Sequence, residues 1–68
     1  MATGTLEWFS RTRGFGYISQ DTGGKDLIVR RRGIPVHLYD TLRWGDRVEF
    51  RHDVEPEAIG VDVIGLAP

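Results

Sequence analysis

Residues 13–18 read Arg13-Gly14-Phe15-Gly16-Tyr17-Ile18, two aromatic rings separated by one glycine and followed by a β-branched residue. Aromatic and β-branched side chains suit a pleated strand. Strand geometry sends alternate side chains to opposite faces, so Phe15 and Tyr17 share one face and Ile18 takes the other. With Ile18 supplying the buried side, the two rings stand on the outer face. Rings two residues apart on an open strand form a platform on which bases stack, each stack contributing roughly 1–3 kcal/mol. The same alternation also fits two rings in the core of a β-sandwich, so pattern alone leaves both readings open.

Outward from this run the chain keeps a β character. No window of eleven or more residues holds helical apolar spacing without an interrupting Gly or Pro. Strands are predicted at Thr5–Ser10, Phe15–Gln20 and Asp26–Arg30, joined by Arg11-Thr12-Arg13-Gly14 and by Asp21-Thr22-Gly23-Gly24-Lys25, whose paired glycines supply positive φ. The segment Arg31–Asp46 holds Gly33, Pro35 and Gly45, which limits it to one short helical turn near Ile34–Leu38. A fourth strand places Val48 and Phe50 opposite Arg47, Glu49 and Arg51. In a fifth, Ile59, Val61 and Val63 oppose Gly60, Asp62 and Ile64, after a turn at Glu55-Pro56-Glu57. With no linker or repeat, residues 1–68 form one expected domain.

Composition narrows the function. The 68-residue chain has no cysteine, so disulfides and thiolate metal sites are excluded, and a reducing, cytoplasmic location is the natural expectation. No stretch approaches the roughly 18 apolar residues of a membrane span. His37 and His52 are isolated, and no nucleophile elbow or paired carboxylates occur, so no metal, cofactor or catalytic residue is expected. The net charge of −1 conceals an asymmetry: residues 1–33 carry six Lys/Arg and three Asp/Glu, residues 34–68 three and seven. A basic face can therefore attract phosphate locally, over a Debye length of about 8–10 Å, in a protein that is acidic overall.

Along most of its length the sequence resembles the bacterial cold-shock proteins. The run GTLEWFSRTRGFGYISQDTGGKDLIV is similar to the opening of that family, and Arg13–Ile18 matches its first ribonucleoprotein-like motif. Ile34, Tyr39, Thr41, Leu42, Gly45, Val48 and Phe50 fall at corresponding positions. The resemblance implies an all-β, five-stranded antiparallel OB-fold barrel that binds single-stranded RNA or DNA, pyrimidine-rich by preference, in an RNA-chaperone or regulatory role. It assigns stacking to Trp8, Phe15, Tyr17 and Tyr39, with Arg13 and Lys25 contacting the backbone.

Three departures weaken the match. In the second motif the ring positions are occupied by Ile28, Arg30 and Arg31, while Leu27 and Val29 remain in core positions. Arg30 and Arg31, together with Arg32, could substitute guanidinium stacking and charge for the missing rings, or could form a solvated edge. Glu7 replaces a lysine beside Trp8, and a carboxylate there repels phosphate. Trp44 replaces a charged residue and offers either self-association or a plug over the barrel end. A barrel that binds nucleic acid weakly and serves as a protein-interaction module is the competing reading.

Overall fold

The computed structural model describes residues 2–52 and 56–66. Strands β1 (Ala2–Ser10), β2 (Phe15–Gln20), β3 (Leu27–Arg30), β4 (Arg47–Arg51) and β5 (Glu57–Gly65) close into a barrel in the order β1-β2-β3-β5-β4. Pairing is antiparallel except at the β3–β5 junction, where Ile28 and Val29 lie parallel to Glu57 and Ala58. This is the expected OB-type barrel, with one seam running in the opposite direction from the rest. Between β3 and β4 the chain makes a 3₁₀ turn at Arg31–Gly33 and one turn of helix, α1, at Val36–Tyr39. The paired glycines after β2 do adopt positive φ, 83° and 87°. Of the turn expected before β5, Glu55 lies outside the described residues.

Alternation along the strands builds the interior. Leu6, Ile18, Leu27, Val29, Val48, Phe50, Ala58 and Val61 are fully buried, and Ile34, Tyr39 and Leu42 cap them from the long connection. Each fully buried Leu, Ile, Val or Phe among them contributes about 1.5–3 kcal/mol. Two bulges then break the alternation. In β1, Leu6 faces Ile18 but Trp8 faces Tyr17, so Glu7 is the extra residue. Leu6 pairs instead with the end of the long connection, donating its N–H to the Asp46 carbonyl (2.9 Å) and accepting from the Gly45 N–H (2.7 Å). In β5 the register slips between the Glu49–Asp62 and Arg51–Ile59 pairs, where Gly60 has φ +61°. Of Ile59, Val61 and Val63, expected on one face, Val61 is buried and Val63 packs against the core, but Ile59 is corrected: it is only half-buried and Ala58 takes the core position.

The β1–β2 turn and the long connection are tied together at one end of the barrel. Arg31 donates its N–H to the Gly14 carbonyl (3.0 Å), Arg11 donates to the carbonyls of Asp40 (3.0 Å) and Leu42 (2.6 Å), and the Tyr39 hydroxyl donates to the Arg11 carbonyl (2.7 Å). Along the barrel wall, Arg47 of β4 reaches across β1 to the Asp21 carboxylate after β2, also donating to Thr5 Oγ1 (2.9 Å), and Thr3 donates to the same carboxylate (2.6 Å).

Candidate nucleic-acid interface

The β1 bulge builds the site. Strict alternation would put Trp8 on the same side as Leu6, inside the barrel. One extra residue at Glu7 reverses the faces, so Phe9 turns toward the core and Trp8 turns out beside Tyr17. Gly16 makes room for this crossing: a Cβ there would stand 2.3 Å from the Trp8 carbonyl oxygen and 2.8 Å from the Phe9 ring. The sequence places Gly16 merely between two rings, whereas the structure uses it as the floor on which β1 lies.

Cross-strand pairing then carries the outer face over four strands. One row runs Trp8, Tyr17, Ile28, Glu57; the next runs Ser10, Phe15, Arg30. The rings of Trp8, Phe15 and Tyr17 form one cluster, with centroids 5.3 Å apart for Trp8–Phe15 and 5.9 Å for both Trp8–Tyr17 and Phe15–Tyr17. The Phe15 and Tyr17 planes are nearly perpendicular at 88°, an edge-to-face contact that stiffens the group. Trp8 is 37% and Tyr17 38% exposed, and Phe15 is half-buried. Three rings converging on an open surface can offer π-faces to successive bases.

The other residues named from sequence are distributed differently. Tyr39 is corrected: at 6% exposed it belongs to the core, its hydroxyl held by Arg11 and its ring edge-on to Phe9 at 5.4 Å, because α1 folds it under the β1–β2 turn. Arg31 lies over that ring, its guanidinium carbon 4.5 Å from the centroid, and together they line a shallow cleft of about 100 Å³ with Ile34, Val36 and Asp40. Arg30 projects from β3 directly beside Phe15. Arg13 and Lys25 are exposed in the turns at the two ends of β2. Trp44 is 72% exposed and does not plug the barrel end.

Two carboxylates stand at the face, Glu7, which the sequence placed beside Trp8, and Glu57, which it did not single out. Glu7, the bulge residue, accepts a hydrogen bond from Ser19 Oγ (2.7 Å). Glu57, at the far end of the Trp8 row, accepts from Arg32 Nε (2.8 Å) and Nη2 (2.6 Å) and lies 3.6 Å from Arg30 Nε. Hydrogen bonds from Arg32, then the charges of Arg32 and Arg30, hold the Glu57 carboxyl below its ordinary value of 4.5, and the same bonds raise the Arg32 guanidinium above its ordinary value. Two arginines of the basic run thus meet an internal anion. Among the described residues no group of three or more His, Cys, Asp or Glu could hold a metal. Among the described residues no helix is long and apolar enough to cross a membrane.

Residues 2–63 match the family model described as the 'Cold-shock' DNA-binding domain. The chain belongs to the cold-shock domain family. It is 41% identical to the cold shock-like protein CspA of Stigmatella aurantiaca over the full length of both chains. Over 48 residues it is 48% identical to CspA of Vibrio cholerae, covering 71% of this chain and 69% of that one. Glycine-rich protein 2 of Nicotiana sylvestris is 44% identical across 94% of this chain, which spans only 31% of that longer protein. The closed five-stranded barrel is the OB-fold of a nucleic-acid-binding family, and within this cold-shock domain the exposed rings lie on strands β1 and β2.

Proposed function

We propose that this cold-shock domain binds single-stranded RNA or DNA by stacking bases on Trp8, Phe15 and Tyr17, in an RNA-chaperone or regulatory role in the cytoplasm. The observation that carries the reading is the convergence of these rings on one open face, in contact with each other and still accessible. Ile28 extends the surface as an apolar shelf, and Arg30 lies beside Phe15 at the edge of the platform. Arg13 and Lys25 supply cations at the ends of β2. Pyrimidine-rich strands suit a platform of this kind, whose preference comes from stacking and backbone flexibility more than from hydrogen-bond readout. No bond-making chemistry enters the reading.

Titration with a short oligopyrimidine and a matched oligopurine, at low and moderate salt, tests it. Saturable binding at micromolar protein, tighter for the pyrimidine strand, is the expected result; no saturable binding of either strand contradicts it.

Trp44 supports a second contact, self-association through the exposed indole at the turn before β4. Sedimentation of the wild type and Trp44→Ser at high concentration decides this: association lost in the variant supports it, and a monomeric wild type removes it.

A further inference from the structure

Arg30 and Arg31 stand where the second motif of the family carries rings, Arg32 follows them, and free guanidiniums there would contact phosphate. They are not free. Glu57 leads into β5, directly opposite Ile28 in the parallel pair, and so its carboxylate reaches the same outer face as Ile28 and Arg30. Its two oxygens receive Arg32 through Nε and Nη2 at 2.8 and 2.6 Å, a forked geometry that a phosphate would otherwise adopt. The Arg30 Nε lies 3.6 Å from one of those oxygens. Arg31 is directed elsewhere, over the Tyr39 ring.

We propose that Glu57 is an affinity-setting residue, an internal anion that occupies the Arg30 and Arg32 guanidiniums and competes with the phosphates of a bound strand. The inference rests on the single-strand reading above and adds to it a reason for three adjacent arginines to bind phosphate less than their charge alone would allow. The carboxylate is mostly shielded, whereas both guanidiniums remain open to solvent. Ion pairs this exposed are weak and screened by salt, so a phosphate can displace the contact, but only by leaving a carboxylate beside it.

The test is the affinity of Glu57→Gln for an oligothymidylate across a salt series, with Glu49→Gln on β4 as a control of equal net charge change. Gln keeps the shape of Glu57 and gives up its charge. The expected result is a gain of about three- to tenfold near 0.1 M salt. The slope of log affinity against log salt should steepen by up to about 1.4, at about 0.7 for each newly engaged phosphate. Glu49→Gln should change the slope little. Arg32→Ala in the wild-type background needs no change at Glu57 and should leave the slope nearly unaltered, because that guanidinium is already occupied. Wild-type binding with Glu57→Gln equal to it, or a slope flattened by about 0.7 in Arg32→Ala, overturns the inference alone. Binding by Glu57→Gln where the wild type has none sustains the inference and overturns the reading of native function. No binding by any of these proteins overturns both.

Discussion

Trp8, Phe15 and Tyr17 touch one another but differ in what surrounds them, and substitution should separate binding from folding. Tyr17→Ala and Trp8→Ala remove rings that are more than a third exposed, so each should weaken single-strand binding by roughly 1–3 kcal/mol and leave the barrel folded. Phe15→Ala should lose binding in the same range and some stability, since that ring is half-buried. Calorimetry with the oligonucleotide and thermal melting distinguish the two effects. Unfolding on removal of Tyr17, as expected for a core ring worth about 3–5 kcal/mol, would reverse the assignment of faces. Tyr39 supplies the opposite case. Tyr39→Phe keeps the ring and removes the hydroxyl that donates to Arg11, so it should cost about 0.5–1.5 kcal/mol of stability with affinity unchanged. A loss of affinity without a loss of stability would return Tyr39 to the binding surface.

The β1 bulge is the element on which the ring cluster depends. Gly16→Ala places a methyl against the Trp8 carbonyl at a distance no backbone atom tolerates, so β1 must lift away from β2. Overpacking of this kind costs about 1–3 kcal/mol, and here it should also displace Trp8 and lower affinity, measurable as a fall in melting temperature together with weaker binding. The bulge itself was not legible in the sequence. Period-two alternation through Leu6 and Trp8 has no local mark of the extra residue, which arises because Leu6 is engaged by Gly45 and Asp46, forty positions away in the chain. The Gly60 bulge shifted Ile59 out of the core for the same kind of reason. By contrast β2 was read correctly residue by residue, because Phe15, Tyr17 and Ile18 obey alternation without interruption. A second element-level device joins β2, β1 and β4. Hydrogen bonds from Arg47 and then from Thr3 hold the Asp21 carboxyl at about 2, below its ordinary 3.8. A carboxyl held low stabilises the folded state fully above its unfolded value and loses that contribution as pH falls toward 2. The melting temperature of the wild type should therefore drop between about pH 4 and pH 2 more steeply than that of Asp21→Asn; equal slopes would show that the clip adds nothing to folding.

At the scale of the whole molecule, barrel closure converts sequence-distant residues into one surface. The charge asymmetry between the halves of the chain was visible in composition, and the family resemblance supplied the barrel. What neither disclosed is that the acidic half returns through β5 to the basic face, since a parallel β3–β5 seam brings Glu57 beside Ile28 across twenty-nine positions of sequence. The fold was legible because its hairpins are local; the interface was legible only in part, because its edge is set by long-range closure. The two tryptophans of the chain report on the interface independently, Trp8 within the ring cluster and Trp44 at the turn before β4. Titrating ¹⁵N-labelled protein with oligothymidylate while following the two indole N–H resonances locates a bound strand. Single-strand binding on the β1–β2 face predicts that the Trp8 resonance shifts and saturates along with the amides of Phe15 and Tyr17 while Trp44 stays in place; a Trp8 resonance unmoved at saturating oligonucleotide would contradict it.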